Sequence, residues 1–139
     1  MTQISIIKME ELNLMYVQAS SFPEGVKEAW HQLESRLPGL KGRKYFGTSR
    51  LVGEKIEYRA CVVPSDESEP SRLGLETFTI PRGNYASKKI VDWTDQTHLI
   101  KTIFEELSSK YTVDSSRPHI EFYRSPKELV LMVPIVHPY

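Results

Sequence analysis

Along residues 4–19 Leu12, Leu14 and Tyr16 interleave with Asn13, Met15 and Val17, so apolar groups fall on both faces of an extended segment. That pattern predicts a strand covered on both sides. Ser21-Phe22-Pro23-Glu24 follows, with Ser21 placed to cap a helix, Glu24 completing a capping box and Pro23 tolerated in the first turn. Val26, Ala29, Trp30, Leu33 and Leu37 then recur at three- and four-residue spacing, opposite Lys27, Glu28, Gln32, Glu34 and Arg36. This is an amphipathic helix, stopped at Pro38-Gly39, on whose apolar stripe Trp30 is expected to be structural. Residues 44–49 and 56–63 read as two strands joined by a turn near Gly53, and 65–72 as a polar linker.

The same order returns in the second half. Residues 75–80 and 84–91 are extended around Pro81-Arg82-Gly83, and a helix is expected after Thr94-Asp95 with the stripe Leu99, Ile100, Ile103, Phe104 and Leu107. Polar residues 112–118 lead to strands at 119–124 and 129–136, joined through Ser125-Pro126-Lys127. A shift of seventy positions lays Ala29, Trp30, Leu33 and Leu37 on Leu99, Ile100, Ile103 and Leu107, and Val63-Pro64 on Val133-Pro134. The expected fold is therefore α+β: tandem duplicated strand-helix-strand-strand units, 1–68 and 69–139, in one domain with an antiparallel sheet. A unit of three strands and one helix buries too little apolar surface to stand alone, so the halves should share a core. A central ligand cleft is expected where they meet.

Composition narrows the function classes. The chain has 139 residues, 40% hydrophobic and 26% charged, as an ordinary globular domain does. Eighteen basic residues balance eighteen acidic ones, so no global field attracts a polyanion, and direct nucleic-acid binding is not expected. Lys41, Arg43 and Lys44 read as a solvated connection. The lone Cys61, flanked by Ala60, Val62 and Val63, reads as a buried thiol in a strand. No signal peptide or membrane span is apparent, which predicts a soluble cytoplasmic protein. His31, His98, His119 and His137 are scattered, with no Ser-His-Asp set, metal spacing or phosphate loop, so neither a catalytic set, a cofactor nor a metal site is expected.

Glu121 is the informative residue. Alternation in His119-Ile120-Glu121-Phe122-Tyr123 places it on one face with His119 and Tyr123. A carboxylate buried in an aromatic strand needs donors, a cationic partner or a raised pKa, and a ligand cation stacked by nearby rings meets the same need. From the residues alone, an exposed or edge-strand Glu121 paired with Arg124 or another base is at least as good a reading.

The closing pattern Ile120-Glu121-Phe122-Tyr123, the Ser125-Pro126 turn and Val133-Pro134-Ile135 resemble the end of the GyrI-like (gyrase-inhibitor-like) effector-binding family. Ile80-Pro81-Arg82-Gly83-Asn84-Tyr85-Ala86 resembles its mid-chain strand-turn motif, Tyr45-Phe46-Gly47 its first-half element, and Glu57-Tyr58-Arg59-Ala60 the strand that follows. The resemblance covers essentially the whole chain. It implies a tandem fold whose central cleft takes amphipathic, often aromatic or cationic molecules, as in the effector domains of AraC- and MerR-type transcription activators. It also implies that Glu121 is the cleft glutamate, with Tyr45, Tyr85 and Tyr123 at aromatic positions around it. Val91-Asp92-Trp93 departs from the family pattern, and Trp93 is expected at one cleft edge.

The leading expectation is a stand-alone protein that binds a small organic ligand through Glu121, Tyr45, Tyr85, Trp93 and Tyr123, for transcription regulation or for sequestration of a toxin or drug. The alternatives are a hydrolase of reactive electrophiles with Glu121 as general base, and a protein-binding regulator acting through an edge strand or the acidic Asp66, Glu67 and Glu69. A homodimer or a separate regulatory protein partner stays open.

Overall fold

The computed structural model describes residues 3–136; His137 lies outside them. Its elements are β1 (Ser5–Met9), β2 (Leu12–Gln18), α1 (Val26–Arg36), β3 (Tyr45–Val52), β4 (Lys55–Val62), α2 (Glu69–Leu73), β5 (Glu76–Ile80), β6 (Gly83–Val91), a 3-10 turn (Trp93–Asp95), α3 (Leu99–Lys110), β7 (His119–Ser125) and β8 (Glu128–Pro134). The strands form one antiparallel sheet in the order β1-β6-β8-β7-β3-β4-β2-β5. The fold is α+β, and no helix among the described residues is long and apolar enough to cross a membrane.

The sheet curls, and its pairing explains how. Met9 lies opposite Gly83 and Leu12 opposite Ile80, with unbroken register on either side. Residues 5–16 and 76–87 thus form one long bent ladder, interrupted only where Glu10-Glu11 faces Pro81-Arg82. Pro81 has no N–H to offer a ladder, and the two glutamates are exposed, so the break and bend fall there. The single extended segment expected at 4–19 is therefore two strands far apart in the sheet order, β1 at one edge and β2 between β4 and the other edge strand β5.

One face of the curl gathers Leu14, Phe46, Cys61, Ile80, Tyr85, Ile120 and Met132 into a single cluster, with Ile7 and Met9 of β1 packed against it. All eight strands contribute to this cluster. The other face carries the helices. Ala29 and Leu33 of α1 pack with Met15, Ala60 and Val62, while Ile103 and Leu107 of α3 pack with Ala86, Ile90, Leu129 and Leu131. Both helical stripes expected from spacing face the sheet. Full burial of one such Leu or Ile side chain contributes about 1.5–3 kcal/mol.

Three local expectations are corrected. Helix α1 starts at Val26 with Gly25 as its unassisted N-cap, not at a Ser21–Glu24 capping box. The preceding turn satisfies its own amides, since Gly25 N–H donates to Ser21 O and Val26 N–H to Pro23 O. A side chain at 25 would meet Ser21 O at 2.9 Å, so glycine fixes this tight turn. Helix α3 begins at Leu99, after Thr94-Asp95 as expected, and is preceded by the 3-10 turn, which Asp92 enters in the left-handed region with φ 54°.

The remaining two corrections concern the supposed linker, which contains α2. Glu69 there is only 2% exposed and takes both Nη atoms of Arg43 at 2.8 and 2.7 Å and the Ser65 amide at 2.8 Å. Arg43 is therefore a structural partner rather than part of a solvated basic loop. Of the acidic residues Asp66, Glu67 and Glu69 only Glu69 is buried; Asp66 and Glu67 are exposed, and Asp66 is tied to Arg72 at 3.1 Å.

Candidate functional site

β7 and β3 occupy the middle of the sheet, and the helices pack mainly to either side, α1 on β4 and β2, α3 on β8 and β6. Strand alternation turns Ile120 and Phe122 to the far face and His119, Glu121 and Tyr123 to the helix-bearing face. Glu121 is thus central rather than at an edge, and it is 9% exposed.

Its neighbour across the ladder is Gly47. A Cβ at 47 would lie 2.5 Å from Glu121 Oε1 and would also strike the Tyr58 hydroxyl, so the missing side chain leaves the room these two groups fill. Tyr58 reaches in from β4 and donates to Glu121 Oε1 at 2.9 Å, and Tyr123 donates to the same oxygen at 2.5 Å. Trp30 Nε1 of α1 donates in turn to the Tyr58 hydroxyl at 3.1 Å. The four side chains make one chain of hydrogen bonds from helix to sheet centre.

Rings enclose it. Trp30 stands edge-on to Tyr123 at 5.4 Å and to Tyr45 at 6.2 Å between centroids, Trp93 stands edge-on to Tyr123 at 5.3 Å, and Phe22 stacks on Tyr58 at 5.9 Å. The polar tips of Tyr45 and Trp93 are anchored elsewhere, on Leu40 O at 2.9 Å and Ser125 O at 3.1 Å. Their rings, not their polar tips, are what they offer to the cluster.

The electrostatics are one-sided. No Lys, Arg or His nitrogen pairs with Glu121 among the described residues. Burial pushes its carboxyl above the ordinary carboxylate range, and the two phenol donors only partly offset this. Burial and then the neighbouring carboxylate push the Tyr58 and Tyr123 phenols upward, so both stay protonated donors. Both phenols converge on Oε1. Oε2 accepts no side-chain hydrogen bond and is not among the fully sealed, unpartnered polar atoms, of which Tyr85 Oη is the one identified. The free oxygen therefore touches solvent.

Of the residues expected from sequence, Glu121, Tyr123, Tyr45 and Trp93 come together here. Tyr85 does not: it is fully buried on the opposite face, with the Arg117 guanidinium 4.8 Å from its ring centre. Sequence reasoning missed Tyr58 and Gly47 and assigned Trp30 to the core alone. Trp30 does pack there, but its indole N–H also orients Tyr58. The signal for Tyr58 was its place in the Glu57-Tyr58-Arg59-Ala60 strand, and only the β3–β4 register, Ser49 opposite Tyr58, turns that into proximity to Glu121.

The other titratable candidates are packed away. Cys61 is fully buried and its thiol is pushed up to about 12, chiefly by burial. His119 packs against Phe104 at 5.2 Å, and burial lowers its pKa. No cluster of three or more His, Cys, Asp or Glu among the described residues is placed to hold a metal ion.

Comparison with known proteins matches residues 2–135 to the family model described as GyrI-like small molecule binding domain. No curated protein sequence matches the chain. Among solved structures, an integron cassette protein from the mobile metagenome of Vibrio cholerae, VCH_CASS2, has TM-score 0.70 at 10% identity, covering 97% of both chains. SAV2435 bound to tetraphenylphosphonium has TM-score 0.65 at 11% identity, covering 96% of this chain and 94% of that one. The C-terminal domain of EcmrR has TM-score 0.63 at 10% identity, covering 99% of each. At such identities these likenesses concern the fold.

Proposed function

The chain belongs to the GyrI-like small molecule binding domains, and from that membership we propose that its ligand is an amphipathic organic cation held over Glu121. The observation that carries this reading is a buried carboxylate with two phenol donors and no cationic partner among the described residues. An uncompensated buried carboxylate is costly, so a ligand cation that meets Oε2 supplies the missing charge. Trp30, Tyr45, Trp93 and Tyr123 supply ring faces and edges, and a cation over an aromatic face gains about 0.5–2 kcal/mol. Tyr85 is left out of the binding set.

The cleft lies between two copies of one unit. β2-α1-β3-β4 and β6-α3-β7-β8 have mirrored positions in the sheet, β6-β8-β7 facing β3-β4-β2, which supports a duplication whose seam is the β7–β3 pair. The seam is chemically asymmetric, because Glu121 of the second unit faces Gly47 of the first. Ligand capture of this kind serves transcription regulation or sequestration, and the likeness to the EcmrR domain and to tetraphenylphosphonium-bound SAV2435 supports both the fold and the ligand class.

A titration of tryptophan fluorescence tests the reading, since Trp30 and Trp93 both border the site. Tetraphenylphosphonium is expected to bind saturably and at least about tenfold more tightly than neutral triphenylphosphine oxide, a difference of about 1.4 kcal/mol. Equal affinity for the two would remove the charge-based account. Consumption of an electrophile by the wild type but not by Glu121→Gln would replace binding with hydrolysis.

A further inference from the structure

The cluster around Glu121 is not the end of the helix-bearing face. Two residues back along β7, one strand repeat or about 7 Å away, His119 points the same way. Beside it opens a cavity of about 370 Å³, lined by Leu51, Ile56, Val113 and His119 and by Arg50 and Arg117. Leu51 and Ile56 are cross-strand partners on the β3–β4 hairpin, and they are 69% and 44% exposed. The hairpin runs past the end of the β3–β7 ladder, which stops at Ser49 opposite His119, so this apolar pair overhangs the cavity with no strand to cover it.

We propose that the binding site continues from Glu121 across His119 into this cavity, and that the ligand is a monocation carrying an uncharged apolar arm. The proposal rests on Glu121 as the partner of the cationic head. Three features fix the class. A volume of about 370 Å³ falls at the small end of the roughly 300–1,000 Å³ typical of ligand pockets, enough for an arm but not for a second bulky head. Its apolar lining comes from three separate segments, β3, β4 and the stretch before β7. Its charged lining is two arginines and no acid, and Arg50 has no ion-pair partner among the described residues, so a second cation at the far end meets repulsion from it. Arg117 is already held by Asp114 at 3.1 Å and by Ile135 O at 3.0 Å, which fixes its position and offsets its charge.

Calorimetric titration with tetramethylammonium, octyltrimethylammonium and the bis-quaternary octamethonium tests this on the whole chain. The octyl monocation is expected to bind at least about tenfold more tightly than tetramethylammonium, as burying two or more methylenes at about 0.8 kcal/mol each requires. Octamethonium is expected to lose that advantage. In Leu51→Ser/Ile56→Ser, whose positions are exposed enough to leave the fold intact, the octyl advantage should shrink about fivefold or more while tetramethylammonium is unchanged. An octyl advantage that survives the double substitution, or octamethonium binding as tightly as the octyl cation, overturns the extension. Loss of every cation in Glu121→Gln would leave the reading of Glu121 standing in that case. Unchanged binding of all three in Glu121→Gln would instead remove the head site.

Discussion

Glu121→Gln is expected to weaken tetraphenylphosphonium binding by about 10- to 100-fold, the worth of roughly 1.5–3 kcal/mol for an interaction with a charged group. Binding of neutral triphenylphosphine oxide should stay within about twofold of wild type, because the rings that stack it are untouched. The substitution should not unfold the protein. Glutamine Oε1 can accept the Tyr58 and Tyr123 hydroxyls as the carboxylate does, and its amide takes the place of Oε2, the oxygen that meets solvent. A buried charge disappears at the same time, so the variant should melt at or above the wild-type temperature at neutral pH.

The pH dependence has a definite sign. The carboxyl of Glu121 is raised in the folded state, so folding favours its protonated form. Its favourable contribution is complete below the ordinary carboxylate pKa and is lost as pH rises through the raised value. The wild type should therefore lose stability relative to Glu121→Gln over that interval. Melting curves of both proteins from acid to neutral pH check this, and parallel curves would contradict it.

The second large effect concerns stability alone. Glu69→Ala or Arg43→Ala is expected to cost about 3–5 kcal/mol, because each leaves one partner of a buried ion pair uncompensated. Glu69 is the worse case to leave wanting: it is 2% exposed and also receives the Ser65 amide, which loses its partner with the carboxylate. The Arg43 guanidinium, hydrogen-bonded and adjacent, holds the Glu69 carboxyl down to about 2. A depressed carboxyl stabilises above its ordinary pKa of about 4.5 and loses that contribution as pH falls through about 2. Chemical denaturation at neutral pH should show the full loss in either variant. A loss under about 1 kcal/mol would place the pair with ordinary surface salt bridges.

What could be read without coordinates follows physical lines. The α1 and α3 stripes were legible because periodicity of 3.6 residues reports which face is buried, and Ala29, Leu33, Ile103 and Leu107 are all buried. The strand pairs 45–62 and 119–134 were legible from alternation bounded by turn residues, and Gly53 takes the positive φ of 63° that its turn needs. Strand order was not legible, since nothing local in residues 4–19 says that β1 pairs with β6 while β2 pairs with β4 and β5.

The site divides the same way. Glu121 and Tyr123 share one strand face, which alternation reveals. Tyr58, Gly47 and Trp30 reach Glu121 only through long-range register and helix docking, and a single sequence carries neither. Tyr85 shows the converse: its motif suggested a site position, but its parity in β6 turns it to the far face, where it joins Ile80 and Met132. The Arg43–Glu69 pair was missed because an exposed loop and a buried salt bridge have the same composition until the fold brings residues 26 apart together.

The most direct measurement is the affinity of the wild-type protein for tetraphenylphosphonium as a function of pH. The ligand's charge is fixed, so any variation belongs to the protein. Affinity should be weak in acid, rise through the raised pKa of Glu121 as the carboxylate forms, and level off above it, while the profile of Glu121→Gln stays flat and low. A wild-type profile that does not change with pH, or one that Glu121→Gln reproduces, would contradict a cation site built on this carboxylate.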